Sequence, residues 1–344
     1  MRELIAAARH AAIALCLAVV PAAGQGTASG VPEAAAGLRH VAEIPLPGPA
    51  VRFDYQNVDT AAGRLYMAHM DAGTLLVFDT KARHVVADLP DFPSVHGVIA
   101  VPGEGKVFAS ATGDHQVAVV DAASLKTLAR LGPIGYPDGL AYAPDARRVF
   151  VSDESGAGRE LVIDAAADSV VGTVELGGEA GNTLWDPVTG RILVAVQTRA
   201  EIAAIDATTD RIVGRYPVTG SERPHGLAVD AARKLLFVAD EGKAQLFVLA
   251  LPSMEVVAHY AVGDDPDVLA LDSSLGRLYV ACESGVVNVF QENDQALSSL
   301  GGLRIAHAHT VAVDASTHLV YLPIERLGRR PMLEIYRPEE AGGS

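Results

Sequence analysis

Residues 224–262 read PHGLAVDAARKLLFVADEGKAQLFVLALPSMEVVAHYAV. Four short runs of β-type residues stand in this stretch: GLAVD (226–230), LLFVAD (235–240), AQLFVLA (244–250) and EVVAHYAV (255–262). Polar turns such as AARK separate them, so the stretch predicts four antiparallel strands, A to D. The same unit recurs along the chain. The basic or turn residue that opens each B strand appears as Arg64, Lys106, Arg148, Arg191, Lys234, Arg277 and His318, at spacings of 42, 42, 43, 43, 43 and 41. Seven copies of a four-strand unit at this period predict an all-β fold, a seven-bladed β-propeller.

The turns carry their own chemistry. An aspartate opens most A–B turns (Asp59, Asp186, Asp230, Asp272, Asp314) and several C–D turns (Asp79, Asp121, Asp164, Asp206). Its carboxylate can accept backbone N–H groups two residues on, so these are read as turn residues. The last unit, HTVAVDASTHLVYLPIERLGRRPMLEIYRP (309–338), supplies strands A, B and C but no D. RHVAEIPLPG (39–48) matches the D strands RHVVADLPDF and RIVGRYPVTG. The N-terminal strand is therefore expected to complete the C-terminal blade and remove the free sheet edges. The expected organisation is a propeller over 39–338, a flexible segment at 25–38 before it and a disordered tail at 339–344.

The first residues, MRELIAAARHAAIALCLAVVPAAGQG, have the pattern of a secretory signal peptide over 1–24. Arg2 and Arg9 lie ahead of and beside an apolar run at 11–20 that is too short to span a bilayer, and Ala22 and Gly24 suit a cleavage site. A periplasmic or secreted protein is expected, with no membrane association after signal removal. Cys16 lies in that segment, which leaves Cys282 without an intrachain disulfide partner. Its setting, LYVACES, is a strand pattern and predicts a small buried hydrophobe. The net charge of −15, with no basic stripe, argues against a nucleic-acid partner. A monomer is expected.

The stretch IDATTDRIVGRYPVTGSERPHGLAVDAARKLLFVADEGKAQLFVL (205–249) resembles the YVTN-type repeat of YncE-like seven-bladed β-propellers, a group of exported bacterial proteins. RLYVACESGVVNVF (277–290) repeats its cadence. The resemblance covers essentially the whole chain after the signal. It implies the fold and no one function, because such propellers include binding proteins and proteins with no assigned activity. Trp185 is the only tryptophan, and no Gly-His…Trp-Asp signature of WD40 repeats is present.

In a propeller the A strands line the central channel. Counting back from each B strand finds Asp54, His96, Asp138, Gly181, His225, Asp267 and His309 at the start of A, with Asn182 the alternative in the fourth blade. These are the candidate ligand-binding residues at the channel mouth. His96, His225 and His309 come from blades spaced almost evenly round the ring and are candidate ligands for a divalent metal ion at about 2.0–2.1 Å. Asp54, Asp138 and Asp267 could ligate too, or accept the other imidazole N–H. A metal-bound water would then serve as base or nucleophile. In outline such a centre resembles the axial metal sites of propeller enzymes such as the amidating lyases and lactonases. The other reading is local: a polar residue beside glycine also suits a loop that bonds its own backbone and water.

The B-strand ends reach the same face and supply a rim: His69, Asp71, Asp114, His115, Asp153, Glu154, Asp240, Glu241, Glu283 and Glu325. So many carboxylates favour a cationic or polyhydroxylated ligand, with Arg199, Arg223 and Arg326 as local offsets. Tyr55, Tyr136 and Trp185 are candidates for apolar contact, and the alternation in HAH makes His307 a secondary metal candidate. The expected function is that of an exported binding protein whose top face and channel mouth hold a small ligand or a protein partner. The alternative is a metal-dependent lyase or hydrolase centred on the three histidines. No other cofactor is implied.

Overall fold

The computed structural model describes residues 36–293 and 296–339. Residues 1–24, where a signal peptide is expected, most of the segment 25–38 and residues 340–344 lie outside the described residues.

Among the described residues the chain forms seven four-stranded antiparallel sheets, each ordered A-B-C-D from the axis outward. The seven inner strands are Gln56–Asp59, Val95–Val101, Pro137–Ala143, Ala180–Asp186, Pro224–Asp230, Pro266–Asp272 and Ala312–Asp314. Each packs on the next and the last on the first, which closes the ring. The seventh sheet joins the two ends of the described chain. Leu38–Pro45 pairs with Arg330–Pro338, with Glu43 opposite Glu334 and Ile44 opposite Leu333. Beyond the strands, Glu339 N–H donates to the Gly37 carbonyl at 2.7 Å.

The sequence of each strand reflects its place in the blade. B and C strands have neighbours on both faces and are apolar over most of their length, as in Leu235–Asp240, which is buried from end to end. D strands face solvent on one side, and Arg211–Pro217 alternates exposed and half-buried positions. Seven apolar clusters hold the molecule together, one between each pair of neighbouring blades. That between the seventh and first blades, for example, joins Tyr321, Leu333 and Ile335 to Phe53, Met67 and Phe78.

The turn aspartates act as the sequence suggests. Asp79 Oδ1 accepts the N–H of Lys81 and Ala82 at 3.0 and 2.8 Å, and Asp206 Oδ1 those of Thr208 and Thr209 at 3.0 and 2.9 Å. Asp230 accepts Arg233 N–H at 2.8 Å and Asp314 accepts Ser316 N–H at 2.9 Å. Cys282 is buried, and burial pushes its thiol up to about 12, as befits a packing residue.

Candidate functional site

The site is built by a repeated irregularity in the inner strands. The A–B ladder breaks between Val95 and Val98, Pro137 and Leu140, Ala180 and Thr183, Pro224 and Leu227, and Pro266 and Val268. A bulge of this kind leaves residues unpaired and re-aims their side chains. His96, Asp138, Gly181, His225 and Asp267 are the first unpaired residue in each. The register thus gives the fourth ring position to Gly181, and Asn182 lines the channel one residue further in. That channel cavity has a volume of about 300 Å³ and is lined by Asn57, Asn182, Thr183 and apolar inner-strand residues.

The glycine after the ring residue has a steric cause. A Cβ on Gly97 would stand 2.1 Å from the Asp138 carbonyl oxygen, and one on Gly226 1.9 Å from that of Asp267. The inner strands of blades two and five therefore press against the backbone of the next strand at its ring residue. Only glycine allows that approach.

The six ionisable ring residues, Asp54, His96, Asp138, His225, Asp267 and His309, are all buried. His225 is the most connected. Its Nδ1 stands 3.2 Å from Asp267 Oδ1 and 3.6 Å from Glu241 Oε1, and its Nε2 3.8 Å from Glu154 Oε1. His96 is held differently: Nδ1 faces the Ser94 carbonyl at 2.7 Å, Nε2 meets the Tyr136 hydroxyl at 3.0 Å, and Asp54 lies 3.8 Å away. Tyr55 donates to Asp267 at 3.4 Å. His309 leaves its Nε2 buried without a hydrogen-bond partner.

Crowding of buried carboxylates sets the electrostatics. Burial, then repulsion from Asp138 and Asp267, holds Asp54 well above the usual carboxylate range, and Arg52 offsets this only in part. Burial and the Glu154 charge push Asp138 up to about 8. Burial alone would lower His225, but the nearby carboxylates of Asp267, Glu154 and Glu241 hold it well above the ordinary imidazole value. His225 in turn overrides burial at Asp267 and keeps that carboxyl low. Burial and Arg52 lower His309. An imidazole near several carboxylates is stabilised as the cation, while the remaining acids stay under-compensated.

Donor atoms approach within 4.8 Å of one another in two groups among the described residues: Asp138–Glu154–His225 and His225–Glu241–Asp267. His96 and His309 belong to neither.

The candidate rim residues divide by role. Glu154 and Glu241 turn to His225, and Glu283 pairs with Arg52 at 2.6 Å. Asp153 and Asp240 are fully buried loop clamps. Asp153 binds the N–H groups of Gly135 and Tyr136 and pairs with Arg159 at 2.9 Å, while Asp240 binds those of Glu222, Arg223 and Lys243. His69 is fully buried with its ring stacked on Phe53 at 4.1 Å, so it packs rather than lines the rim. Asp71 is exposed, and Glu325 pairs with His307 at 3.2 Å. His307 is exposed in a turn at φ 67°, outside any strand, so strand alternation does not bring it beside His309. Trp185 packs against the core between blades three and four.

Arg52 is the residue that sequence reasoning missed. Burial disfavours its charge, but Asp54, Glu283 and Asp267 more than restore it. A basic residue two places before a ring aspartate was the available signal.

No family model matches the chain, and no curated protein matches it. Among solved structures it is similar to a chain of Kuenenia stuttgartiensis hydrazine synthase, with TM-score 0.70 and 13% identity, over 81% of this chain and 93% of that one. At that identity the likeness is one of fold: this protein is a seven-bladed β-propeller.

Proposed function

We propose that the protein is an exported binding protein of the YVTN-type propeller group, which holds a small cationic ligand at the axial mouth. One observation carries this reading: three aspartates and three histidines from six blades are buried together at one end of the channel. Glu154, Glu241 and Glu283 add to them, and Arg52 offsets these charges only in part. Buried carboxylates in excess of buried cations are stabilised by a cation that enters and binds them. The recessed ring suits a small ligand better than a flat protein surface does.

The enzyme alternative, a metal-dependent lyase or hydrolase on His96, His225 and His309, has less support, since only His225 of the three stands in a group of close donors. Export rests on the pattern of residues 1–24 and is checked by N-terminal sequencing of the protein recovered from a periplasmic fraction.

Calorimetric titration with a panel of organic amines and divalent ions tests the binding reading. At least one member is expected to bind, and Asp54→Asn is expected to weaken it by about tenfold or more, as loss of a buried charge partner does. Absence of binding across the panel, or binding indifferent to Asp54→Asn, overturns it.

A further inference from the structure

The ring has one gap. Six blades place an ionisable side chain on the axis, and the fourth places Gly181 there. A Cβ at Gly181 would already stand 3.3 Å from Cα and Cδ2 of His225. The space beside that imidazole exists because blade four contributes no side chain to it. Asp138 of blade three and His225 of blade five converge across this notch, joined by Glu154 from the loop that follows the blade-three B strand.

These three donors lie within 4.8 Å of one another. Two of their atoms have nothing to bind. Asp138 is 6% exposed, and its Oδ1 is buried without a hydrogen-bond partner, as is Oε1 of Glu154. A buried acceptor left unpaired is costly and marks a place where a partner belongs. The other carboxylate pair beside His225 is already engaged: Asp267 accepts the Tyr55 hydroxyl, and Glu241 stands 3.3 Å from Arg223. Asp267 is the nearest carboxylate to Nδ1 and Glu154 the nearest to Nε2, so an ion that displaces the Nε2 proton leaves the Nδ1 proton facing Asp267. That is how an outer carboxylate orients a ligating histidine.

We propose that this notch is a divalent transition-metal site, with Asp138, Glu154 and His225 as its ligands and Asp267 and Glu241 as the groups that orient His225. The inference rests on the reading of the mouth as a cation site and names the cation. One imidazole with two carboxylates suits a first-row ion such as Zn²⁺ or Mn²⁺ better than Ca²⁺, which takes oxygen ligands alone. Three protein ligands leave positions open for water or a bound molecule.

The test uses the mature protein purified without a metal column, stripped with a chelator, and titrated separately with Zn²⁺ and Mn²⁺ by calorimetry. About one ion per chain is expected. The near-isosteric changes Asp138→Asn and Glu154→Gln, and the notch-filling Gly181→Leu, are each expected to weaken binding by roughly tenfold to a hundredfold, and Asp267→Asn by a comparable amount. His259→Ala, an exposed change in the outer strand of blade five, is expected to leave affinity unchanged. Circular dichroism confirms that each variant is folded, and Co²⁺ absorption on the unmutated protein reports nitrogen–oxygen ligation without any variant. Weak binding of many ions, unaffected by these substitutions, would mean attraction to the acidic surface only and would overturn the site. If neither ion binds but an organic amine does so through Asp54, the metal site falls and the cation-binding mouth stands; if nothing binds, both fall.

Discussion

At Gly97 and Gly226 a missing side chain decides whether neighbouring blades can touch. The nearest obstacles to a Cβ are backbone carbonyls, at 2.1 and 1.9 Å, which cannot rotate away. Gly226→Ala is therefore expected to cost about 1–3 kcal/mol in denaturant unfolding, the range for forced overpacking. Gly103, whose Cβ would meet nothing within 4 Å, is the control, and Gly103→Ala should stay within about 0.5 kcal/mol. Glu160 gives a second test. It is fully buried with both carboxylate oxygens unpaired. Burial, with a lesser contribution from Asp153, raises it well above the usual carboxylate range despite the Thr183 hydroxyl. The folded state therefore favours the protonated acid. Stability from this group is complete below the unfolded value of about 4.3 and is lost as pH rises towards the folded value, by up to about 1.4 kcal/mol per pH unit. Glu160→Gln should flatten that decline, as read from melting curves across pH 4–8.

Among the elements, the strand Leu38–Pro45 matters most, because it comes from the opposite end of the chain to the sheet it completes. It pairs along Arg330–Pro338, and Ile44 packs on the cluster of Leu333 and Ile335. Deleting residues 1–45 should expose a strand edge and part of that cluster. The expected result is a fall in melting temperature on the order of 10 °C and concentration-dependent association by light scattering. The inner strands show what was legible and what was not. Their existence and order follow from the repeated apolar runs. The breaks in their ladders do not, since a bulge is a matter of register between strands, and only glycine in PHG and PDG hinted at it.

For the whole molecule, the ring makes the chain's starting point arbitrary. Gly37 and Glu339 are hydrogen-bonded to each other. A circular permutant that joins 339 to 37 by a short Gly/Ser linker, and opens the exposed turn at Gly103, should fold with the same β-sheet spectrum. A non-native spectrum would show that the velcro-like closure of the seventh sheet depends on chain order. The same ring collects residues far apart in sequence. Arg52 and Glu283 are 2.6 Å apart, and Tyr55 bonds Asp267. No periodicity in the chain announces such pairs.

Period, strand count, blade closure and the list of polar residues at the ring were all present in the sequence. Each depends on local pattern repeated seven times, and a four-stranded unit of this length has few ways to bury its apolar faces except against its copies. Only the tertiary structure gave the fourth ring position to Gly181, turned Glu154 and Glu241 towards His225, buried His69 against Phe53 and brought Arg52 to Glu283. Those outcomes depend on side-chain direction at bulged residues and on distances across an axis. Both are set by how seven blades pack together, and no single blade encodes them.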